Sequence, residues 1–242
     1  MTLGRPTRSR VIKPGPHSDI HANHDPPLTS SSSPEPAADA QAHAASRGPT
    51  LYVPSMLADR PLNELLDSLG AEQPAPGGGA GAAWACALAA ALVEMAAAFT
   101  RHERLAQVSD RARELRAAAL ELAERDLDAY APVLEALRLA SGDMQRDDRL
   151  AAALSAAAEP PLAVAEAASE VAALAAVLAR TGNPKLRGDS ITGATLAEAA
   201  CRAAVSLVEI NLASQPEDPR LSHAAELAAR AADARAQALG PG

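Results

Sequence analysis

Aromatic residues are almost missing from this chain of 242 residues, in which one Trp, two Tyr and one Phe make up only 2% of the sequence. Because 48% of the residues are nevertheless hydrophobic, alanine and leucine must supply the core. Alanine is the strongest helix former and a poor strand former. No stretch alternates apolar and polar residues as a half-buried strand does. The composition therefore predicts an all-α fold.

Cysteine is also scarce, and the two cysteines, Cys86 and Cys201, lie in apolar runs without the spacing of a metal site. We interpret both as small core residues of a reduced, cytoplasmic protein, and we expect no metal centre. Basic residues are outnumbered by acidic ones, which gives a formal net charge of −8. Such a charge argues against nucleic acid as a partner.

The arginines near the N-terminus are not followed by an apolar segment, so the sequence contains no recognisable signal peptide. An apolar run over residues 80–99 is about as long as a membrane span. The run consists mainly of alanine, contains Glu94 and begins in a loop of glycine and proline. We therefore predict a buried helix rather than a membrane-spanning one, and no association with a membrane.

The composition changes near residue 56. Residues 1–55 are rich in Pro, Ser and His and have no hydrophobic period. Such a segment cannot bury enough apolar surface to offset the entropy of ordering, so we predict a disordered tail. Residues 56–242 form the predicted folded domain.

Helical patterns fill this domain. A short amphipathic helix ends at Gly70, and further helices are predicted over residues 80–99, 103–139, 147–178, 189–212 and 218–239. The helix that begins near residue 147 should be bent or interrupted at Pro160 and Pro161. The pattern predicts an up-and-down bundle of five or six helices, some of them kinked.

A loop with the sequence P-A-P-G-G-G occupies residues 74–79, just before the apolar run. It has two interpretations: a tight turn that leads into a core helix, or a site where a carboxylate or phosphate approaches a helix N-terminus. Gly77, Gly79 and Ala82 match the dinucleotide pattern G-x-G-x-x-A, but no strand precedes them. The loop also lacks the Lys and Ser or Thr of a phosphate-binding P-loop, so both nucleotide motifs are excluded.

Asp126 interrupts an apolar stripe of the helix predicted over residues 103–139. A carboxylate there must be paired, must face a cavity or must have a shifted pKa. It either forms an ion pair with an arginine or belongs to a pocket. Tyr130 follows one helical turn later and could share that pocket.

Polar residues also mark both ends of the helix predicted over residues 189–212. Asp189 at its start could simply cap the helix or could belong to a site. Lys185, in the preceding loop, is either an ordinary surface charge or a partner for an anionic group. Asn211 lies at the edge of the apolar stripe near the other end.

Four segments, taken in order, resemble the cyclodeaminase/cyclohydrolase family of folate enzymes. They are P-A-P-G-G-G at residues 74–79, D-L-D-A-Y at 126–130, G-N-P-K-L-R-G-D at 182–189 and I-N-L at 210–212. That family includes the C-terminal domain of formiminotransferase-cyclodeaminase and free-standing methenyltetrahydrofolate cyclohydrolases. The resemblance spans about residues 57–239.

The resemblance implies an all-helical homodimer that acts on a one-carbon tetrahydrofolate derivative and needs no cofactor besides this substrate. It implies that Asp126 and Asp189 are catalytic, because a carboxylate can stabilise cationic character and transfer a proton. The implied substrate-binding residues are Pro76, Gly77, Gly78, Gly79, Tyr130, Gly182, Asn183, Lys185 and Asn211.

Four positions depart from the family's pattern. Ala80 and Gly188 stand where serine is expected, and Leu207 and Glu209 replace an asparagine and a basic residue. The alternative function is therefore a catalytically altered or inactive family member, acting as a helical dimer or as a small-ligand-binding module. The resemblance leaves open whether an active enzyme would be a cyclohydrolase or a cyclodeaminase.

Overall fold

A computed structural model of the chain describes residues 57–100, 103–140 and 143–240. The predicted tail over residues 1–55 lies outside them. The described residues contain no strand, which confirms the all-α class. The α-helices are α1 (Leu62–Gly70), α2 (Gly78–Ala98), α3 (Glu103–Arg138), α4 (Arg146–Ala157), α5 (Glu159–Thr181), α6 (Arg187–Asn211) and α7 (Pro219–Leu239), with 3₁₀ turns at Leu57–Asp59 and Pro184–Leu186.

Helices α2, α3, α5, α6 and α7 pack against one another around a core that consists mostly of alanine. Helices α2 and α6 run antiparallel. At one end the backbone N–H of Asn183 donates to Thr100 Oγ1 at 3.0 Å, and at the other Gly78 lies beside Leu207. Between these ends, a Cβ on Gly193 would lie 3.4 Å from a carbonyl oxygen of α2. Small residues thus allow the two helices to approach closely.

The bundle is apolar enough that three segments could cross a membrane by length and composition alone. They are Gly78–Ala98, Arg146–Thr181 and Pro184–Asn211. Between 44% and 67% of the most apolar window of each segment is buried inside the bundle. Packing between helices therefore accounts for a large part of this hydrophobicity.

The predicted interruption near Pro160 and Pro161 separates α4 from α5. The break falls at Ala158, and both prolines occupy the first turn of α5. Proline is tolerated there because the N–H groups of a first turn have no partner within the helix. Of the two predicted possibilities, a bend or an interruption, the structure shows an interruption, so the segment is two helices and the described residues contain seven α-helices. Pro132 differs, because α3 continues past it to Arg138.

Helix α1 ends at Gly70, as predicted, but not through the left-handed conformation that a C-terminal glycine often adopts. No glycine in the described residues has a positive φ, and the chain continues in an extended conformation at Ala71. Helix α1 makes few contacts with the rest of the described bundle. Its side chains Leu62 and Leu66 are consequently exposed.

Candidate functional site

A cavity of about 230 Å³ opens at the end of the bundle where α2 begins and α6 ends. Apolar side chains and backbone form most of its wall, and the polar side chains come from α3 and α6. The lining residues are Pro74, Ala75, Gly77, Gly78, Gly79, Asp126, Leu127, Tyr130, Ala157, Pro161, Leu207, Ile210 and Asn211.

Asp126 extends from α3 to the N-terminus of α2, where its carboxylate accepts the backbone N–H of Ala80. Burial raises the pKa of Asp126 above its ordinary value, and the bond from Ala80 offsets only part of this shift. No cationic side chain contributes to that pKa, so the predicted alternative of an ion pair with an arginine is not what the described residues contain. The positive end of the α2 dipole is the electrostatic partner of this carboxylate instead.

The absence of a side chain at Gly79 makes this arrangement possible. A Cβ at Gly79 would overlap the carboxylate of Asp126. No glycine in this loop has a positive φ, so backbone conformation does not explain why residue 79 is glycine. Glycine is required at position 79 because the carboxylate of Asp126 occupies the space of a side chain. The group that comes close to the Gly79 backbone is thus a side chain of the protein itself. Gly78 has more room, since the nearest neighbour of a Cβ added there would be a methyl of Leu207 at 3.8 Å.

Asn211, the last residue of α6, is only 8% exposed and lies on the wall of the cavity. Its Nδ2 donates to the carbonyl oxygen of Ala157 at 2.9 Å. Tyr130, one turn after Asp126 on α3, is half-buried and lines the same cavity. The structure thereby places Asp126, Tyr130, Asn211 and the glycines at 77–79 around one cavity.

The other predicted residues lie elsewhere in the protomer. Gly182, Asn183, Lys185 and Asp189 cluster around the start of α6, and Asp189, the one of them within that helix, lies roughly 33 Å from Asn211 at 1.5 Å per helical residue. Asn183 Oδ1 accepts the backbone N–H of Lys185 at 3.0 Å, which closes the turn before α6.

Asp189 lies in the first turn of α6, although no side chain caps the N-terminus of that helix. Pro76 follows a cis peptide bond in the glycine loop but does not line the cavity. A single protomer therefore does not bring Asp189 to Asp126.

Sequence reasoning did not identify the apolar wall of the cavity as part of the site. Leu127, Pro161 and Ile210 contribute to it. In the sequence Leu127 looks like any other core residue, and neither the helix break at Pro161 nor the I-N-L segment at Ile210 indicates a cavity wall. Ala157 could have been identified from the sequence, because it lies just before the two prolines that mark the helix break, where a backbone carbonyl group loses its partner within the helix.

The four departures from the family's pattern differ in their effect on the cavity. Ala80 is fully buried, and its backbone N–H still binds Asp126. Gly188 and Glu209 are exposed and lie outside the lining. Leu207 alone contributes its side chain to the cavity wall, which it makes more apolar. Across the described residues, no three His, Cys, Asp or Glu side chains are placed to hold a metal ion.

Comparisons with known proteins agree on one family. The formiminotransferase-cyclodeaminase family matches residues 61–231. Methenyltetrahydrofolate cyclohydrolase from Methylorubrum extorquens is 29% identical over 168 residues, which cover 64% of this chain and 81% of that protein. The crystal structure of formiminotetrahydrofolate cyclodeaminase from Thermotoga maritima superimposes with a TM-score of 0.66 at 26% identity, covering 75% of this chain and 94% of that one. The chain belongs to the formiminotransferase-cyclodeaminase family.

Proposed function

We propose that this protein is an enzyme of one-carbon metabolism that acts on a tetrahydrofolate derivative, either as a methenyltetrahydrofolate cyclohydrolase or as a formiminotetrahydrofolate cyclodeaminase. The observation that carries the proposal is the half-buried carboxylate of Asp126 in the cavity of a chain that belongs to this family. Two relatives, named for these two activities, support the same substrate class.

In the cyclohydrolase reaction, water attacks the cationic carbon that bridges N5 and N10 of methenyltetrahydrofolate. Asp126 accepts the proton of the water as the new C–O bond forms. The hydroxyl of the resulting intermediate then loses its proton to solvent, the bond between this carbon and N5 breaks, and N5 receives the proton held by Asp126. The carbon remains on N10 as a formyl group. The anionic carboxylate also stabilises the cationic substrate, because opposite charges attract strongly in a site with little water.

In the cyclodeaminase reaction, N10 attacks the carbon of the formimino group on N5, and the proton of N10 passes to the terminal nitrogen. The bond from this carbon to its terminal nitrogen then breaks, ammonia leaves with a second proton supplied by an acid, and the cationic methenyl carbon remains between N5 and N10. A carboxylate with a raised pKa can be that acid, since it holds a proton nearer to neutral pH than an exposed aspartate does. Both reactions need only acid–base groups, so we propose that the enzyme uses no cofactor besides its folate substrate. We also propose that it is cytoplasmic.

A turnover assay separates the two activities. The purified protein would be incubated with methenyltetrahydrofolate, and loss of the methenyl absorbance would be followed against spontaneous hydrolysis. In parallel, ammonia release from formiminotetrahydrofolate would be measured. We expect one of these reactions to be catalysed and to be lost in Asp126→Asn. Absence of both activities in a folded protein would contradict the proposed enzyme function.

We further propose that the protein is a homodimer. Leu88, in the middle of α2, and Phe99, just after its end, are 56% and 65% exposed, and the exposed Leu62 and Leu66 belong to the poorly packed α1. Four exposed large apolar side chains on neighbouring parts of the chain are typical of an interface. A second copy is the natural occupant, because closed symmetric dimers are the commonest oligomers.

A dimer formed along α2 and α6 would also bring the two groups of predicted residues together. In such a two-fold dimer, each helix lies antiparallel to its counterpart in the partner, so the start of one α6 lies near the end of the other. The partner's Asn183, Lys185 and Asp189 would then approach the cavity that contains Asp126. The cationic Lys185 would be available for the carboxylates of the glutamate tail of a folate.

Mixing two inactive variants tests this shared site. Asp126→Asn and Asp189→Asn would each be purified, mixed under conditions that allow subunit exchange, and assayed. If each site takes one aspartate from each subunit, half of the dimers regain one intact site, and about a quarter of the wild-type activity returns. No recovery would place both residues in one subunit or would mean that Asp189 has no role at the site.

The alternative is a family member that binds a small ligand without catalysis. Leu207 favours it, because this residue makes the cavity wall more apolar where the family's pattern has a polar side chain. A thermal-shift assay with 5-formyltetrahydrofolate distinguishes the cases: stabilisation without turnover of either substrate would support the alternative.

A further inference from the structure

The carboxyl group of Asp126 has no charged neighbour in the wall of its cavity. Among the described residues that line the cavity, Asp126 is the only carboxylate, Tyr130 is the only other titratable side chain, and none is a Lys, Arg or His. A tyrosine hydroxyl holds its proton up to a pH of about 10, so the acid–base group that this protomer supplies near neutral pH is Asp126. A cationic carbon can also lie beside this carboxylate without meeting a positive side chain in the cavity wall.

The contact that holds Asp126 in place suits both protonation states of its carboxyl group. The backbone N–H of Ala80 is the one hydrogen-bond donor to this group among the described residues. A carboxylate accepts such a bond, and a protonated carboxyl group still accepts it through its carbonyl oxygen. The other oxygen can then hold a proton or receive one. A bidentate arginine would instead have fixed the group as an anion, which could serve only as a base.

Water can reach this carboxyl group, because Asp126 is only half-buried and its cavity opens at the end of the bundle. The volume of about 230 Å³ is several times the roughly 30 Å³ that one water molecule occupies in the liquid. The cavity therefore has room for a water molecule beside the reacting part of a substrate. Ammonia is of similar size and can leave by the same opening.

The two reactions described above leave and require matching states of Asp126. Deamination ends when Asp126 gives its proton to the leaving ammonia, so the carboxylate is anionic and the carbon between N5 and N10 is a methenyl cation. Hydrolysis begins from the same pair, with water within reach. The final state of one reaction is thus the starting state of the other, and the attraction between the opposite charges holds the pair together.

We infer that the protein catalyses both reactions in succession in this one cavity, so that it converts formiminotetrahydrofolate and water into 10-formyltetrahydrofolate and ammonia. Asp126 acts first as an acid and then as a base. This inference rests on the proposed folate function, which requires only one of the two reactions, and extends it to a net hydrolysis of the formimino group.

Atoms and protons balance over this cycle. N10 forms a bond to the formimino carbon and passes its proton to the terminal nitrogen, which leaves as ammonia with the proton of Asp126. Water then forms a bond to the carbon and gives one proton to Asp126, and the resulting hydroxyl gives the other to solvent. The bond from the carbon to N5 breaks, and N5 takes the proton from Asp126. The carboxylate recovers a proton from solvent, so no co-reactant besides water is consumed.

Product analysis on the unaltered protein tests the inference. Formiminotetrahydrofolate would be supplied as the sole folate, and ammonia and 10-formyltetrahydrofolate would be measured together. We expect equal amounts of the two products, formed well above the rate at which methenyltetrahydrofolate hydrolyses spontaneously. Catalysis of only one reaction would overturn the inference while leaving the proposed function intact. Catalysis of neither reaction would overturn both.

A competition experiment tests whether the two reactions share one cavity. Methenyltetrahydrofolate would be added while ammonia release from formiminotetrahydrofolate is measured. If both substrates occupy the cavity of Asp126, the inhibition is competitive, and its constant equals the KM for hydrolysis of methenyltetrahydrofolate. Noncompetitive inhibition, or none, would overturn the inference.

Two variants provide the last arm. Asp126→Asn should lower both rates by about a hundredfold or more, because the acid of one reaction is the base of the other. Asp128→Asn is the matched control, since Asp128 is exposed on the same helix and lies outside the cavity lining, and both rates should be retained. Loss of one reaction alone in Asp126→Asn, or an equal loss of both in Asp128→Asn, would overturn the inference.

Discussion

At the scale of single residues, Gly79 and Asp126 are coupled, because the carboxylate occupies the space that a side chain at Gly79 would need. The carboxylate is held there by a backbone N–H and by no cation among the described residues. The surroundings of Asp126 therefore disfavour the charged form of its carboxylate, and they also hold the carboxylate at the cavity. Substitution of Asp126 tests the role of the charge, and substitution of Gly79 tests the position of the carboxylate.

Asp126→Asn should preserve the fold and remove the activity. Asparagine can still accept the N–H of Ala80 and carries no charge that burial would penalise, so the melting temperature at pH 7 should be unchanged or higher. Turnover should fall by about a hundredfold or more, as expected for the loss of a general acid–base group. A variant that melts early but keeps full activity would contradict this assignment.

The difference in stability between wild type and Asp126→Asn should depend on pH. Because the folded pKa of Asp126 is raised above its ordinary value of 3.8, the folded state holds this proton more tightly than the unfolded state. The resulting stabilisation is present at low pH and is lost as the pH rises through the folded pKa. Asp126→Asn lacks this term, so its melting temperature relative to wild type should rise from pH 3 to pH 7. An unchanging difference would show that the pKa is not raised.

Gly79→Ala should inactivate the protein by displacing Asp126, since its Cβ would overlap the carboxylate. Gly81→Ala is the matched control on the same helix, because nothing lies within 4 Å of a Cβ at that position. Alanine is favoured over glycine in a helix by about 1 kcal/mol, so the control should be slightly more stable. Activity assays and thermal melts of both variants check the pair. Full activity of Gly79→Ala would contradict the close contact.

At the scale of secondary-structure elements, Arg220 at the start of α7 forms hydrogen bonds to residues on both sides of the break between α4 and α5. Its guanidinium donates to the carbonyl oxygen of Ser155 at 2.8 Å, to Glu159 at 2.6 Å and to Asp218 at 2.7 Å. Together with Asn211, it supplies side-chain donors to carbonyl groups in the last turn of α4. The wall of the cavity at Ala157 and Pro161 depends on this break.

Arg220→Gln should lower the melting temperature at pH 7, and the loss should shrink in acid. Hydrogen bonds from Arg220 lower the pKa of Asp218 from 3.8 to about 2. Stability from this pair is therefore present above pH 4 and is lost as the pH falls towards 2. Thermal melts of both proteins across this range measure the effect.

Arg202→Gln is the control for this experiment. Arg202 forms an exposed pair with Glu198 at 3.4 Å, and such pairs contribute little to stability. Its substitution should scarcely change the melting temperature at any pH. A loss equal to that of Arg220→Gln would mean that removal of any arginine has the same effect.

At the scale of the whole molecule, the exposed side of α2 is the surface that the proposed dimer would cover. Leu88→Arg should yield monomers, since it would place a charge in an apolar interface, and the circular dichroism of the helices should be retained. Light scattering at micromolar concentration measures the mass, and an activity assay should report a loss if the site is shared. Leu137→Arg, at an exposed leucine on α3, is the control and should remain dimeric. A wild-type protein that is monomeric would contradict the proposal.

Much of the fold could be predicted because the relevant signals are local. A continuous apolar run predicted α2, the spacing of apolar residues predicted α3 and α6, and proline and glycine marked the breaks within one or two residues. The position of Asp126 on an apolar stripe predicted its burial in the same way. The apolar wall of the cavity could not be predicted, because Leu207 and Leu127 follow the same pattern as residues of the core.

The sequence by itself determined the all-α class, the helices and the identity of the polar residues that interrupt their apolar stripes. These features depend on backbone propensity and on neighbours within one or two helical turns. Only the tertiary structure decided that the partner of Asp126 is the N-terminus of α2 and that the amide of Asn211 binds the carbonyl of Ala157. Such pairings join residues distant in sequence, and the packing of helices against one another sets them.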